Sequence, residues 1–444
     1  MTQQRTIAAV STAAGKGAIA IVRLSGEKAI EIAKTILNIK SDPIPKKIER
    51  YVLTTENIKD DVTAVFYKAP KSYTGEDAVE IFCHGNNFIA EEIVAECIRK
   101  GAYPAENGEF TKRAFLNNKI DLTQAEGIID IINAESRAGI NASFGAVEGF
   151  LFKEIELIQK EILSMSAEAG AAVDYPEENI EEVTIDLLSE KITAILKKLK
   201  KLVESYDSGK IMRDGIRVAI VGEPNVGKSL LLNRLLGRDR AIVTDIEGTT
   251  RDTLEEAFEY KGVKFVFIDT AGIRETTDMI EKVGIERSYR AINEADLILS
   301  VTEQNKRYAP IEATNKKILK ILNKSDIFEY FEYGVADLKN EEGVDISVSA
   351  KTGENIDKLK ELIYNVTCKD VSASGAILTN ARQYSAAIKA YEALQRAHSS
   401  AKDNLFDCVI SDLSEAYRTL GTVTGAYASD DVVSEIFSRF CVGK

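Results

Sequence analysis

The chain has 444 residues and a net charge of −13, with 45% hydrophobic and 29% charged residues. This length is sufficient for two or three domains, each with its own hydrophobic core. The N-terminus lacks a basic region before a long apolar run, and no window approaches ~18 uninterrupted apolar residues, so we expect neither a secretory signal nor a membrane span. The acidic balance disfavours non-specific nucleic-acid binding, so an RNA partner would need a local basic patch or a second protein.

The cysteines indicate a reducing compartment. None of the five forms the C-x-x-C pair that is typical of zinc sites. Because no export signal is expected, free thiols in the cytoplasm are the simplest interpretation.

The first 118 residues have a mixed α/β pattern. Short apolar runs predict strands at Ile19–Leu24 and Val79–Phe82. Helical spacing of apolar residues predicts a helix at Asn87–Lys100.

From Leu122 onward the apolar spacing is helical. It predicts amphipathic helices around Phe152–Met165 and Leu188–Val203, with a loop at Asp174–Asn179 between them. The basic run Lys197–Lys201 lies on the outer face of the second of these helices. We interpret it as a solvated helix face, with an RNA-binding patch as the alternative.

The pattern changes again at Arg217. Arg217–Gly222 is typical of a buried strand, and strands then alternate with helices to about Val366, which predicts a parallel doubly wound sheet. Helical spacing returns after Ser372. The helices predicted there are Ala376–Ala401, Leu405–Leu420 and Ser429–Phe440, the last with Ser429 as its N-cap.

The segment Gly222–Ser229 (GEPNVGKS) fits the phosphate-binding pattern G-x-x-x-x-G-K-[ST], between a predicted strand and a helical pattern at Leu230–Leu236. The backbone N–H groups of such a loop surround a phosphate, and the helix N-terminus adds positive potential. Lys228 would neutralise the β- and γ-phosphates, and the Ser229 hydroxyl would bind magnesium. We therefore predict a nucleoside triphosphate site.

Three further motifs, each after an apolar run typical of a strand, point to guanine. Asp269 would hold magnesium through water, and the Gly272 N–H would sense the γ-phosphate. The Asp326 carboxylate can accept two hydrogen bonds from the guanine ring N–H and exocyclic amine, a donor pair that adenine lacks. The Ala350 N–H can reach the guanine oxygen. The motifs are DTAG at 269–272, NKSD at 323–326 and SAK at 349–351.

Hydrolysis needs an ordered switch and a group that orients water. In the segment GTTRD we expect Thr250 to close on magnesium and the γ-phosphate, with a merely polar loop as the alternative. The residue after DTAG is Ile273, which cannot orient water, so another group must do so. The available carboxylates, each of which could instead be a solvated surface acid, are Glu275, Asp278 and Glu281.

Segments spread along nearly the whole chain share the pattern of one family. The N-terminal part carries TIAAVSTAAGKGAIAIVRLSG, SYTGEDAVEIFCHG at 72–85 and GEFTKRAFLNNKIDLTQAEGIIDII at 108–132. The central part carries PNVGKS, IVTDIEGTTRD and DTAGIRE, and FSRFCVGK stands at 437–444. With these segments the chain resembles the MnmE (TrmE) family of bacterial and organellar tRNA-modification GTPases.

The resemblance implies a multidomain fold that combines α/β and all-α parts. An N-terminal α/β dimerisation and folate-binding domain would span residues 1–118. A helical domain in two pieces, 119–214 and 369–444, would follow it. A Ras-like P-loop G domain, 215–368, would be inserted between these two pieces.

The resemblance further implies a potassium ion where related enzymes use an arginine finger. Potassium would bring two G domains together, so hydrolysis would depend on dimerisation. Glu281 matches the water-orienting acid, which makes Glu281 and Lys228 the predicted catalytic residues. The predicted magnesium ligands are Ser229, Thr250 and Asp269, and the predicted potassium ligands are Asn225, Thr244, Ile246 and Thr249. The predicted GTP-binding residues are Asn225, Val226, Gly227, Lys228, Ser229, Leu230, Thr244, Asp245, Thr249, Thr250, Asp269, Thr270, Ala271, Gly272, Asn323, Lys324, Asp326, Ser349, Ala350 and Lys351.

The N-terminal domain of the family binds a tetrahydrofolate derivative, the one-carbon donor. Residues of this chain that match the pocket could instead form ion pairs of the fold. Cys441 is a possible catalytic thiol, with a non-catalytic role as the alternative. His84 is interpreted as a packed or capping histidine. The positions that match the folate pocket are Arg23, Glu80, Lys119 and Lys444, with Arg113 nearby.

The resemblance thus implies a GTP hydrolase that acts in tRNA wobble-uridine modification, at C5 of position 34. It also implies a homodimer that forms a heterotetramer with an FAD protein of the MnmG (GidA) family, since this chain has no flavin-binding Rossmann fingerprint. Two alternatives stay open. A ribosome-assembly GTPase is disfavoured by the acidic helical C-terminus and by the lack of a KH-type module. A regulatory switch would hydrolyse GTP slowly, without stimulation by potassium.

Overall fold

The computed structural model describes residues 5–174, 181–237, 256–268, 291–304, 306–308, 311, 315–327, 343–368 and 375–444. The chain divides into two compact units. The first comprises Met1–Ile129, Ala146–Lys197 and Ser385–Lys444, and the second comprises Asp130–Gly145 and Lys198–Tyr384. Within the described ranges, no helix combines the length and the apolar character that a membrane crossing requires.

A six-stranded sheet with the order β3-β4-β5-β2-β1-β6 organises the N-terminal part of the first unit. Neighbouring strands are antiparallel except β1 and β6, which are parallel. Side chains of β2 alternate, so that Val22 and Leu24 enter the core while Arg23 lies on the other face. The strands are Ile7–Val10 (β1), Ile19–Ser25 (β2), Glu49–Thr54 (β3), Lys59–Tyr67 (β4), Ala78–His84 (β5) and Tyr103–Pro104 (β6).

The sequence predictions for this part hold closely. The predicted strand at Ile19–Leu24 is one residue longer in the structure, and the predicted helix at Asn87–Lys100 ends at Arg99. The Asn86 side chain accepts a hydrogen bond from the Phe88 N–H, which fixes where the helix begins. Helices of this part are Ala29–Ile36 (α1), Asn87–Arg99 (α2) and Glu109–Leu116 (α3).

The helical parts of the chain follow the predicted apolar spacing. Leu188, Ile192 and Ile195 are buried on one face of α7, whereas the lysines of the run at 197–201 are exposed on the other. Helix α6 packs against α11. The predicted loop at 174–179 lies outside the described residues except Asp174, which ends α6. These helices are Leu122–Asn133 (α4), Arg137–Val147 (α5), Phe150–Asp174 (α6), Glu181–Asp214 (α7), Ala381–Lys402 (α10), Phe406–Thr424 (α11) and Asp430–Ser438 (α12).

Two helix starts are set by caps. The Ser429 hydroxyl accepts a hydrogen bond from the Val432 N–H at 3.4 Å, which confirms the predicted N-cap of α12. Helix α10 begins at Ala381, so the predicted start at Ala376 is wrong. The reason is local: Asn380 Oδ1 accepts from the Gln383 N–H at 2.9 Å, and this cap fixes the first turn.

The second unit contains a six-stranded sheet with the order β12-β11-β10-β7-β9-β8. Five strands are parallel, and β8 pairs antiparallel with β9 at one edge. This arrangement is that of a Ras-like G domain, so the predicted fold class is confirmed. The strands are Ile216–Val221 (β7), Glu256–Tyr260 (β8), Val263–Phe267 (β9), Leu297–Glu303 (β10), Lys317–Asn323 (β11) and Ile346–Ser347 (β12), and the helices are Lys228–Leu236 (α8) and Ile356–Cys368 (α9).

Candidate functional site

The loop between β7 and α8 has the shape of a phosphate-binding loop. Gly227, directly before α8, has φ +93°, and Asn225 has φ +67°. A Cβ atom on Gly227 would lie 2.4 Å from Asn323 Nδ2, so only glycine fits there. The loop leads into the N-terminus of α8, where free backbone N–H groups and the helix dipole favour an anion.

Lys228 is the first residue of α8 and lies against the loop. Its Nζ donates to the carbonyl oxygens of Gly222 and Glu223, each at 2.8 Å. Burial lowers the pKa of Lys228 below its ordinary value. Ser229 and Leu230 follow it on the first turn of the helix, and Leu230 is exposed.

Asn323, at the end of β11, connects two of the predicted motifs. Its side chain is almost fully buried, with 2% of the residue exposed. The amide Nδ2 donates to the Val226 carbonyl at 2.9 Å, and Oδ1 accepts from the Ala350 N–H at 3.0 Å. One side chain therefore joins the phosphate-binding loop to the SAK segment.

Asp326 and Ser349 also meet across two motifs. Ser349 Oγ donates to Asp326 Oδ1 at 2.6 Å, and this bond lowers the pKa of the Asp326 carboxyl below its ordinary value. The carboxylate thus stays ionised and able to accept hydrogen bonds. Lys324 has φ +65°, and its Nζ forms an ion pair with Glu303 at the end of β10. Lys351 directly follows the buried Ala350 and is exposed.

The rest of the predicted G-domain site lies outside the described residues. It includes the proposed switch threonine, the second magnesium ligand, most of the potassium loop and the water-orienting acid. These residues are Thr244, Asp245, Ile246, Thr249, Thr250, Asp269, Thr270, Ala271, Gly272 and Glu281.

A second group of predicted residues meets on the N-terminal sheet. Arg23 on β2 faces Glu80 on β5 in the strand register, and their side chains form an ion pair at 2.8 Å. The Tyr67 hydroxyl donates to the other Glu80 oxygen at 3.3 Å. The guanidinium of Arg23 lies over the rings of Tyr73 and Phe110, at 5.5 and 5.6 Å from their centroids.

The C-terminal segment reaches this group. The Gly443 carbonyl accepts from Ser11 Oγ at 3.0 Å and from Arg23 Nη1 at 3.4 Å. The Lys444 carbonyl accepts from the Phe110 N–H at 3.1 Å, which holds the last residue against α3. Cys441 is exposed.

Two other predicted lysine and arginine positions differ in character. Lys119 Nζ donates to the Pro70 carbonyl at 2.9 Å. Arg113 is buried and paired with Glu76 at 2.9 Å and with Glu109 at 2.8 Å, so it serves the fold as an internal ion pair.

His84, interpreted as a packed or capping histidine, is not packed in the core. Its side chain is 66% exposed, and its Nδ1 contacts Asp60 at the end of the neighbouring strand. The Asp60 carboxylate also accepts from the His84 N–H at 3.1 Å, because β5 ends here and frees this backbone group. His84 therefore lies exposed at the C-terminal end of β5, an interior strand of the sheet.

Family comparisons agree with this architecture. A family model described as the MnmE helical domain matches residues 122–441, and one described as the GTP-binding protein TrmE N-terminus matches residues 6–119. The chain belongs to the MnmE family. The N-terminal match ends at residue 119 and the helical-domain match begins at residue 122, so the boundary lies between α3 and α4.

Curated members of the family align along their whole length. The tRNA modification GTPase MnmE of Clostridioides difficile is 39% identical over 459 residues, covering 99% of each chain. Proteins of the same name are 40% identical in Acetivibrio thermocellus, covering 100% of both chains, and in Thermotoga petrophila, covering 99% of this chain and 100% of that one. Among solved structures, the FeoB G domain from Methanococcus jannaschii is 28% identical and covers 35% of this chain and 98% of its own, with a TM-score of 0.25.

Sequence reasoning missed three contributors to these sites. Glu303 and Arg234 contact the guanine motifs, and the Gly443 carbonyl contacts Arg23. None belongs to a short motif that carries its own chemistry. These three groups reach the predicted sites only because strand ends, and the C-terminal segment, lie close to those sites in the folded chain.

Proposed function

We propose that this chain hydrolyses GTP and acts in the modification of tRNA at C5 of wobble uridine 34. The observation that carries the proposal is the meeting of three guanine-nucleotide motifs around Asn323, on a Ras-like sheet. Membership of the MnmE family supports the tRNA part, because the aligned relatives are named tRNA modification GTPases.

The proposed nucleotide site has separate groups for the phosphates and for the guanine base. Backbone N–H groups at the start of α8 hold the phosphates, and Lys228 compensates their charge. Asp326, ionised, accepts hydrogen bonds from the guanine N1–H and exocyclic amine, which adenine does not offer together. The Ala350 N–H, which Asn323 Oδ1 accepts in this structure, would donate to the guanine oxygen as well, and the stem of Lys324 would cover the base.

The chain offers the oxygen ligands that magnesium and potassium prefer, in hydroxyl, carboxylate and amide groups. The Ser229 hydroxyl, with Thr250 and Asp269, would hold magnesium, which neutralises the phosphate oxygens when bound. Asn225 is exposed on the phosphate-binding loop, so its amide oxygen can face a potassium ion shared across a G-domain dimer. Thr244, Ile246 and Thr249 complete that proposed set, and Glu281 orients the attacking water.

The N-terminal sheet would hold the tetrahydrofolate derivative. Arg23 and Glu80 are each about one-fifth exposed, at 18% and 20%, so both can still reach a ligand. A carboxylate suits the N–H face of a pterin, and the ammonium groups of Lys119 and Lys444 suit the glutamate tail. We further propose that a homodimer of this chain joins an MnmG-type FAD protein in a heterotetramer, with Cys441 as a possible thiol participant.

The experiment compares GTP hydrolysis by the purified chain in potassium and in sodium buffer at matched ionic strength. We expect potassium to accelerate turnover many-fold and Asn225→Ala to abolish the acceleration. Asn233→Ala, at an exposed position of α8, is the matched control and should keep the acceleration. Equal rates in both salts would contradict the potassium assignment. If the chain hydrolyses GTP in neither salt, the GTPase proposal itself is contradicted.

A further inference from the structure

Arg234 links the phosphate-binding helix to the segment expected to recognise guanine. It lies on α8, in the second turn after Lys228. Its Nε donates to the Ala350 carbonyl at 2.9 Å, and its Nη2 donates to the Lys351 carbonyl at 2.6 Å. A planar guanidinium can serve two neighbouring acceptors at once, which an ammonium group cannot do in the same geometry.

The turn that carries these two carbonyls contains Gly353. Its φ of +90° is one that glycine readily adopts, and a Cβ atom there would make only ordinary van der Waals contact with Arg234 Nη1, at 3.9 Å. The Gly353 N–H donates to the Ser349 carbonyl at 2.9 Å, which closes the turn. Within the described residues, Arg234 has no carboxylate partner, so its donors serve the backbone of the turn.

The turn is held from its other side as well. Ser349 Oγ donates to Asp326 at 2.6 Å, and Asn323 Oδ1 accepts from the Ala350 N–H. Ala350 itself is buried, with 1% exposed. Ala350 is therefore held at its N–H by Asn323 and at its carbonyl by Arg234, and the N–H that Asn323 Oδ1 accepts in this structure is the one that would also face the guanine oxygen.

From this arrangement we propose that Arg234 is a positioning residue for guanine recognition. It fixes the Ala350 peptide relative to α8, so that the base contact and the phosphate contacts are made in one rigid geometry. Preorganised donors lose less entropy on binding, and a displaced donor loses its hydrogen bond. The inference rests on the proposed GTP binding and deepens it by naming what sets the base specificity.

The test uses a nucleotide pair that differs only at the atom Ala350 would contact. GDP has an oxygen at purine position 6, whereas 6-thio-GDP has a sulfur there, a weak acceptor, and keeps the N–H groups that Asp326 binds. Both are measured by competition against a fluorescent GDP analogue on the full-length chain. Wild type should prefer GDP.

Arg234→Ala should weaken GDP binding about tenfold and 6-thio-GDP binding much less, so the ratio of the affinity for GDP to the affinity for 6-thio-GDP should fall toward one. Arg234→Lys keeps the charge but not both hydrogen bonds, so its affinity ratio should fall between those of the wild type and Arg234→Ala. Asn233→Ala, exposed on the same helix, should match wild type.

Equal loss of both nucleotides in Arg234→Ala would overturn the inference, since a general structural role weakens them alike. An affinity ratio in Arg234→Lys equal to that of the wild type would also overturn the inference. If Arg234→Ala does not fold, Arg234→Lys provides the test. Failure of the wild-type chain to bind GDP would instead overturn the proposed function.

Discussion

Replacing Asn323 with alanine should loosen the nucleotide site at two points at once. Only 2% of Asn323 is exposed, and its side chain donates to the Val226 carbonyl at 2.9 Å and accepts from the Ala350 N–H at 3.0 Å. Alanine would leave one buried acceptor and one buried donor without partners. Each such group costs about 1–3 kcal/mol, so the pair costs about 3 kcal/mol if water enters partly. At about 1.4 kcal/mol per factor of ten, the local opening equilibrium shifts roughly 100-fold.

Hydrogen exchange measures this opening directly. In Asn323→Ala, the peptides that cover 222–229 and 348–352 should lose roughly 100-fold in protection, while peptides of the N-terminal sheet keep theirs. Asn323→Asp keeps an acceptor for Ala350 but buries a charged oxygen against the Val226 carbonyl, so its loss of protection should be at least as large. Asn365→Ala removes an exposed asparagine of α9 and serves as the control. Unchanged protection of both peptides in Asn323→Ala would refute the bridging role.

Two further predictions concern backbone shape and acid stability. Gly227→Ala should reduce GDP affinity at least about 100-fold in the same competition assay, because φ is +93° and the new Cβ would meet Asn323 Nδ2 at 2.4 Å; wild-type affinity would contradict this. For Glu109, burial raises the pKa, but the Glu106 N–H and Arg113 outweigh burial and hold the pKa below its ordinary value. The ionised form therefore stabilises the fold above the ordinary pKa, and this contribution is lost as the pH falls through the lowered one. Wild type should exceed Glu109→Gln in thermal stability at neutral pH, and the difference should shrink as the pH falls below the ordinary carboxyl pKa and vanish once the pH is below the lowered one; a difference that is independent of pH would contradict the ion-pair argument.

Local signals along the chain were enough for most elements. The strand at Ile19–Ser25 and the helix at Asn87–Arg99 follow from apolar periodicity, and the Ser429 cap follows from residue type, since each depends on neighbours within a few positions. The start of α10 was predicted too early because the helical spacing of apolar residues continues upstream of Asn380. The N-cap at Asn380, where the helix begins, depends on a side-chain conformation that this spacing does not encode. The exposure of His84 depends on where β5 meets solvent, which spacing does not encode.

By itself, the sequence predicted the nucleotide site. The phosphate-binding loop, the aspartate expected to bind guanine and their order along the chain can be read directly, because each motif would act through its own backbone and side chains. The tertiary structure decided what joins them. Asn323 reaches Val226 and Ala350, and Arg23 reaches a carbonyl 420 residues away at Gly443, only because parallel strand ends and a returning C-terminal segment meet in the fold. Hydrogen bonds act over about 3 Å, and the chain order alone does not fix which distant groups come that close.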